Sequence, residues 1–306
     1  MGANGIYGLS GSGLDIESLV KMGMMNKQNQ YDKMYQTQLK QTWVKEAYNT
    51  VYTDVKAFKE SMSTFKMQSN MSAMQATSSN NDVVSVTANG AAAAMNHKIT
   101  VEQVASNAYL MTANGQKIGR ANTSASAANS AYLKDVLFSG DATKTTVDGQ
   151  TSYIVKNDTT GKPETFKGSD VAISIEIQDS DDKSVTHKVE FTYDQIFGDN
   201  KTLNDLATAF STSGANVQGG YDTVNESFSL YNKTSGSANQ IGLQANNDIS
   251  KKLLNSLHLA SYDAQNNTLG TEASFETGKM NVAATGTNAK ATIDGKTYES
   301  DTNKLN

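Results

Sequence analysis

The sequence lacks cysteine altogether and contains only one proline and three histidines among its 306 residues. The absence of cysteine excludes disulfide frameworks, cysteine-ligated zinc and thiol nucleophiles. With only His97, His187 and His258 available, an imidazole-based metal or acid–base site has few possible members. The scarcity of proline predicts few slow prolyl isomerisations and uninterrupted helices and strand ladders, because proline removes a backbone hydrogen-bond donor.

Charge and long apolar runs are also scarce. Charged residues make up 19% of the chain and the net charge is −5, which argues against nucleic-acid binding and against a basic membrane-surface protein. No run approaches the ~18 consecutive apolar residues of a membrane span. The first five residues have neither the basic segment nor the apolar core of a cleaved secretory signal. This composition suits a chain that is exported unfolded and refolds outside the cell.

Residues 1–42 are predicted to form a flexible N-terminus followed by an amphipathic helix. Glycines alternate with small polar residues at the start, a composition typical of flexible chain. Asp15 is then placed to cap a helix in which Ile16, Leu19 and Val20 form an apolar stripe at helical spacing. A polar run weakens the stripe further along, so this helix is not expected to be stable by itself.

Residues 43–72 carry the clearest periodic pattern. Seven apolar residues recur at alternating spacings of four and three, the spacing of the a and d positions of a coiled coil. We call this set the heptad seam: Val44, Tyr48, Val51, Val55, Phe58, Met62 and Phe65. The narrow period of 3.5 favours pairing with a second helix over packing on a globular domain, which needs a wider apolar stripe.

From residue 73 the composition changes to Ser, Asn, Thr and Ala, and two strands are predicted at 83–89 and 99–104. An Asp-Gly turn predicts a further hairpin over 289–298. We expect these elements to form a first, discontinuous β-rich domain that consists of residues 73–132 and 277–306.

Residues 133–276 are expected to form a second β-rich domain inserted into the first, with the polar stretch 121–131 as its linker. The predicted elements are a hairpin over 171–193 with one buried face, a helix begun by Thr202 and Asp205, a hairpin over 217–231 and a helix capped by Asp248. The predicted class is therefore α+β, with an N-terminal helical coiled-coil leg followed by two antiparallel β-rich lobes and short helices.

The patterns that resemble catalytic or metal sites are incomplete. The stretch Gly11-Ser12-Gly13 follows no strand and lacks the last glycine of a nucleotide-binding loop, and no His or acid is placed beside its serine. The residues Asp179, Asp181 and Asp182 lack the glycine and glutamate of a calcium loop, so they are expected to form a hairpin turn.

The three histidines complete no site either. His187 falls on the apolar parity of its strand, so we expect a partly buried side chain with a local hydrogen bond. His97 and His258 have no acid or second histidine at a useful spacing. We therefore expect no enzyme, no cofactor and no metal.

The string Ser12–Val20 resembles the opening motif of the bacterial flagellar filament cap family, hook-associated protein 2, also called FliD. Segments of the two predicted strands, of residues 221–233 and of residues 289–295 are similar to the family at corresponding places. A heptad helix follows the opening motif in the family, as it does here. Four similarities in order cover the whole chain.

The resemblance implies a leg-and-head molecule that is exported unfolded through the flagellar type III channel and acts outside the cell. Such proteins form a ring, commonly a pentamer, at the distal tip of the flagellum and guide flagellin into place. The implied partners are flagellin and the filament tip, further copies of the chain, hook-associated junction proteins, the export apparatus and a chaperone. The chaperone is expected to bind a C-terminal helical half that the family has beyond residue 306.

The resemblance also assigns roles to residues near the N-terminus. The expected docking stripe for the filament consists of Leu14, Asp15, Ile16, Leu19 and Val20. Because the family usually has an apolar residue where Gly23 stands, we expect this glycine to break the first helix. The alternative hypothesis is a secreted surface-binding adhesin or β-rich structural module, which would not need the docking stripe.

Overall fold

The computed structural model describes residues 15–66, 74–157, 160–180, 182–263 and 265–305. The chain forms two compact units, Met1–Met95 and Asn96–Asn306. The architecture is α+β, as predicted, with a long helix in the first unit and antiparallel sheets with short helices in the second.

The first unit contains one uninterrupted helix, α1 (Ile16–Phe65), of 50 residues. At 1.5 Å per residue this helix is about 75 Å long. The break expected at Gly23 does not occur, and the segments predicted as two helices form one. A helical glycine costs only about 1 kcal/mol relative to alanine. The lysine, glutamine and methionine residues around Gly23 favour the helix, so this cost does not end it.

The strand predicted at 83–89 is absent from the described part of the first unit, so that prediction is wrong. The backbone turns here instead, because the Asn80 carbonyl accepts the backbone N–H groups of Val83 and Val84 at 3.3 and 3.1 Å. The Asn89 side chain caps a second turn by accepting the N–H of Ala91 at 3.0 Å. Alternating apolar residues form a strand only beside another strand, and local asparagine bonds stabilise turns where no strand is adjacent.

The second unit contains four antiparallel sheets in its described residues. Its strands are β1 (Ile99–Gln103), β2 (Asn107–Thr112), β3 (Thr143–Val147), β4 (Gln150–Lys156), β5 (Pro163–Lys167), β6 (Val171–Gln178), β7 (Thr186–Thr192), β8 (Val217–Asp222), β9 (Ser227–Ser235), β10 (Gln240–Ala245), β11 (Leu259–Asp263), β12 (Thr268–Glu272), β13 (Asn281–Thr285), β14 (Ala289–Ile293) and β15 (Lys296–Ser300). The strand orders are β1-β14-β15, β13-β10-β6-β7, β12-β11-β2-β9-β8 and β3-β4-β5.

Short helices pack on the four-stranded and five-stranded sheets. They are α2 (Leu133–Leu137), α3 (Leu203–Thr212) and α4 (Asp248–Ser256), and a π-helical turn spans Asp194–Gly198. The predicted capping box of α3 is confirmed: the Thr202 hydroxyl accepts the Asp205 N–H at 3.2 Å, and Asp205 accepts the Thr202 N–H at 2.9 Å. Helix α4 is capped by Asn247, one residue before the predicted Asp248, because the Asn247 side chain accepts the Ser250 N–H at 2.8 Å.

The core of this unit is built around β6. The predicted hairpin over 171–193 is confirmed as β6 and β7. Strand β7 has the predicted single buried face, since Val189 and Phe191 are buried and Lys188 and Glu190 are exposed, whereas β6 also buries residues on its other face. Ile173, Ile175 and Ile177 are fully buried, and so is Ala172 on the opposite face. On that face the Ser174 hydroxyl donates to the Glu190 carboxylate at 2.9 Å and accepts the Asn246 side-chain amide at 3.2 Å. The Ser174 backbone N–H donates to the Ser250 hydroxyl of α4 at 2.8 Å.

The predicted hairpins over 217–231 and 289–298 are confirmed as β8 with β9 and β14 with β15. Strand pairing also connects segments that the sequence analysis assigned to different domains. Strand β2 lies between β9 and β11, and β13 pairs with β10. Independent folding of residues 133–276 remains a prediction, and these shared sheets weigh against it.

The stretch 121–131 is not a free linker, contrary to prediction. Ala127 is buried, and Asn122 binds Asp135 through its backbone N–H at 3.0 Å and its side-chain amide at 2.8 Å. The preceding residue Arg120 donates to the Ser130 carbonyl at 2.9 Å and lies 3.5 Å from the Glu226 carboxylate. A buried cation that reaches two other segments fixes this loop, and sequence composition does not encode such contacts.

Helix α3 lies very close to its sheet at Gly219. A Cβ atom added at Gly219 in β8 would lie 2.5 Å from the Ala207 carbonyl oxygen, which is rigid helix backbone. We expect Gly219→Ala to lower the free energy of unfolding of this unit by about 1–3 kcal/mol, measured by urea titration. Gly140→Ala is the control, since its Cβ would meet no atom within 4 Å. Equal stability of the two variants would contradict the contact.

The capping box of α3 predicts a pH dependence. The hydrogen bond from the Thr202 side chain is the main reason why the pKa of Asp205 lies below its ordinary value of 3.8. A carboxylate with a lowered pKa stabilises the fold above its unfolded-state pKa and loses this effect as the pH falls through the folded value. The stability advantage of the parent over Asp205→Asn should therefore be complete above about pH 5 and shrink below pH 3.8. Urea titrations of both proteins from pH 6 to 3 measure it, and a constant difference would contradict this role of the cap.

Candidate functional site: the apolar surface of the long helix

The docking stripe and the heptad seam both lie on α1. Leu14 and the side chain of Phe65 fall outside the described residues, so the structure places four members of the stripe and six of the seam. Each of these residues is exposed. The single chain therefore presents two apolar surfaces along one helix.

Asp15 begins the helix, as predicted. Its carboxylate accepts the Ser18 N–H at 3.0 Å and also binds the Ser18 hydroxyl. These hydrogen bonds, with the hydroxyl contributing most, hold the pKa of Asp15 below its ordinary value of 3.8. The carboxylate also lies at the positive end of the helix dipole, which favours its ionised form. The cap thus fixes where the docking stripe starts.

The three apolar residues of the docking stripe have about half of their surface in solvent. The exposed fractions are 50% for Ile16, 55% for Leu19 and 59% for Val20. Large aliphatic side chains gain roughly 1.5–3 kcal/mol each when they are buried. The stripe therefore has the chemistry of a surface that binds another apolar surface.

The heptad seam is exposed to a similar degree, from 40% at Met62 to 73% at Tyr48. On an ideal helix its members fall within an arc of about 100°, the width of a coiled-coil contact. Threonine hydroxyls on the other faces bond back to the helix, as Thr50 does to the Glu46 carbonyl at 3.0 Å. The described members of the seam therefore lie exposed along one face of α1, and their pairing with a second helix stays a prediction.

The two surfaces share one heptad register, which the sequence analysis missed. Counting back from Val44 in sevens, Ile16 and Val20 occupy the same a and d series as the seam. The series between them is mainly polar. Its members are Gly23, Lys27, Gln30, Met34, Thr37 and Gln41. Extending the heptad count through the polar middle of the helix would have found this relation.

Exposed methionines around the docking stripe were also missed. Met22, Met24, Met25 and Met34 each have more than half of their surface exposed. Flexible thioether side chains adapt to irregular surfaces, and proteins use them where a binding surface must accept different shapes. Their close spacing on one helix is a signal that the sequence already contains.

The histidines pair with carboxylates instead of forming a metal site. As predicted, His187 is partly buried and bonds locally, with its Nε2 2.9 Å from an Asp179 carboxylate oxygen. His97 and His258, for which no acid was expected, lie 2.6 Å from Asp294 and 2.8 Å from Glu272. Within the described ranges, no group of three or more His, Asp or Glu residues could hold a metal ion.

No helix in the described part of the chain combines the length and the apolar character needed to cross a membrane.

Residues 12–108 match the family of the flagellar hook-associated protein 2 N-terminus. This range is about a third of the chain and includes the docking stripe and the heptad seam. The resemblance drawn from the sequence is therefore confirmed over this region.

Among solved structures, the chain is similar to the D2–D3 domains of the flagellar cap protein FliD from Serratia marcescens, at 17% identity and a TM-score of 0.35. The alignment covers 69% of this chain and 79% of that chain. A comparison with curated proteins gives no significant match.

The exposure of the heptad seam predicts rapid hydrogen exchange. In a dilute monomer, the amides of Val51 and Val55 should exchange much faster than those of Ile173 and Ile175 in the core, because a lone helix gains little from its own apolar residues. Exchange measured by mass spectrometry on one sample compares both sets under the same conditions. Slow exchange at Val51 and Val55 in a demonstrated monomer would contradict the need for a covering helix.

Proposed function

We propose that this chain is the leg and head of a flagellar filament cap. In this role several copies form a ring at the distal end of the filament and promote the addition of flagellin. The observation that carries the proposal is the family match over residues 12–108. Its support from the structure is that the matched region contains an exposed, capped apolar helix with the two surfaces that such a role needs.

The docking stripe is assigned to contact with the filament end. Asp15 sets the start of the helix, and Ile16, Leu19 and Val20 supply the apolar contact. The methionines beside them allow the contact to adjust to subunits that are not identically placed.

The heptad seam is assigned to a second helix that runs alongside α1. A covered seam would turn a marginal single helix into a stiff two-helix leg, since burial of each apolar residue is worth roughly 1.5–3 kcal/mol before ordering entropy is subtracted. By resemblance, this second helix belongs to the family's C-terminal half, which also carries the chaperone site.

The remaining parts of the proposal concern location and partners. The protein acts outside the cell at the flagellar tip, after export through the flagellar apparatus. Its partners are flagellin, further copies of itself, the hook-associated junction proteins and the export apparatus with its chaperone. The chain has no cysteine and one proline, so refolding after export needs no disulfide formation and involves only one prolyl bond.

Leu19→Asp tests the docking role. The change places an unpaired charge in the apolar contact, which costs free energy when the contact closes. In cells that express the variant within the full-length protein, we expect secreted, folded protein, flagellin lost to the medium, and motility reduced at least tenfold. Flagellin in the medium is measured by immunoblot and filament length by electron microscopy.

Asn26→Asp is the matched control, since it adds the same charge to the same exposed helix outside the docking stripe. It should leave filament growth unchanged. Normal filaments with Leu19→Asp, or equal defects in both variants, would refute the docking role. Circular dichroism of the purified variants separates loss of docking from loss of folding.

A further inference from the structure

The three-stranded sheet β3-β4-β5 is more regular than the other sheets. Its two pairings run without a register shift. Each of the other sheets in the described chain contains at least one bulge, in the pairings β1–β14, β10–β13, β6–β7, β11–β12 and β2–β9. Bulges bend a strand and end its pairing, which protects sheet edges from other chains. The sheet β3-β4-β5 has no bulge at either of its edges.

Hydrogen bonding shows which backbone groups the β5 edge presents. The Gly168 N–H donates to the Thr151 carbonyl at 2.8 Å, and the Asn157 N–H donates to the Lys162 carbonyl at 2.8 Å. Because bonded pairs alternate along an antiparallel ladder, Glu164 and Phe166 also bond toward β4. Thr165 and Lys167 therefore point their N–H groups outward.

The turn between β3 and β4 determines which backbone groups the β3 edge presents. Asp148 and Gly149 both have positive φ, 51° and 76°, the geometry of a two-residue hairpin that closes on the pair Val147–Gln150. By the same alternation, Thr145 bonds toward β4, and Lys144 and Thr146 point outward. Each edge thus presents two free donors two residues apart.

We infer that the β5 edge of one copy pairs in parallel with the β3 edge of the next copy, with Thr165 aligned to Thr145. The sheet then continues from chain to chain. This inference rests on the proposed function, because it names the contact through which copies of the cap join.

The outward groups fit this register. A parallel strand places Thr165 between Lys144 and Thr146 of the next copy and bonds to both. The Lys167 N–H then meets the Thr146 carbonyl, and the Lys144 N–H meets the Pro163 carbonyl. Pro163 has no N–H to donate, and the Lys167 carbonyl already accepts the Asp170 N–H at 3.0 Å. The parallel register uses neither a Pro163 N–H nor the Lys167 carbonyl. The antiparallel registers would each need one of these two groups.

The side chains at the two edges favour the same parallel register as the backbone groups. In this register Glu164 of one copy stands beside Lys144 of the next on the same sheet face, and opposite charges on adjacent strands attract. Glu164 and Phe166 also line a cavity of about 200 Å³ beside the edge. The cavity is lined by apolar side chains together with charged ones, among them Lys156 and Lys252. The stem of Lys144 from the next copy can lie against the apolar part while its ammonium group stays near Glu164.

The two edges differ, so the contact is head-to-tail and repeats in one direction. Contacts of this type close into rings when the rotation between copies allows it. A symmetric contact of one edge with itself would stop at two copies. The placement of the two edges on one small sheet therefore fits assembly beyond a dimer.

A double-cysteine variant, Thr145→Cys with Thr165→Cys, tests the pairing in the complete chain. Within one copy β4 separates the two positions by about 10 Å, too far for a disulfide. The chain has no other cysteine, so each disulfide joins two copies. After mild oxidation we expect a ladder of covalent trimers and larger species on a non-reducing gel. The single variants should give dimers at most.

Two controls test the register by combining Thr165→Cys with either Thr143→Cys or Val147→Cys. Each control should form at least fivefold less crosslinked product than the variant with Thr145→Cys and Thr165→Cys. Light scattering on the same samples reports assembly. Assembled particles without a ladder, or a stronger ladder from a control pair, would overturn the inference and leave the cap proposal intact. A ladder in a protein that fails to cap filaments would support the contact and count against the proposed function. A chain that stays monomeric at all concentrations would overturn both.

Lys144→Glu provides a second, independent readout. This variant places a negative charge beside Glu164 of the next copy, so it should reduce assembly. The double variant Lys144→Glu with Glu164→Lys restores opposite charges and should restore assembly. Unchanged assembly in the single variant, or no recovery in the double variant, would contradict the parallel register.

Discussion

The second unit is built around β6, a strand that is buried over much of both faces. Ile173, Ile175 and Ile177 of β6 are fully buried on one side, and Ala172 and Ser174 are covered on the other. A strand in this position must satisfy every polar group, which is why the Ser174 N–H bonds to Ser250 and places α4. The neighbouring strands and α4 take their positions from this burial.

Helix α1 differs from β6 because its apolar side chains are exposed. Its apolar side chains form two surfaces in one heptad register, and both remain in solvent in the single chain. Intrinsic propensity and an aspartate cap define such a helix, but they leave its stability small without a covering partner. The polar middle of the register divides the helix into two apolar segments, so each can be covered by a different surface.

Local patterns in the sequence predicted most elements, and non-local contacts explain the failures. The hairpins at 171–193 and 289–298 and the Thr202 cap depend on residues a few positions apart, which periodicity and capping rules describe. The missing strand at 83–89 and the fixed loop at 121–131 depend on whether distant residues are adjacent. The second buried face of β6 has the same origin. For the candidate site, the sequence was sufficient to define both apolar surfaces, because helical spacing decides which side chains share one face of a helix.

A chain with one proline must build its turns by other means, and left-handed Asp and Asn residues serve here. Two hairpins show this with the same bonds: Asp222 accepts the Asn225 side-chain amide at 2.6 Å, and Asp263 accepts the Asn266 amide at 2.8 Å. The next residue has positive φ in both turns, and in one it is Asn267, a favourable residue for that conformation. In the other it is Glu226, which the backbone disfavours. Glu226 is nevertheless buried 3.5 Å from Arg120, so the contact that fixes the 121–131 loop also offsets the strain of this turn.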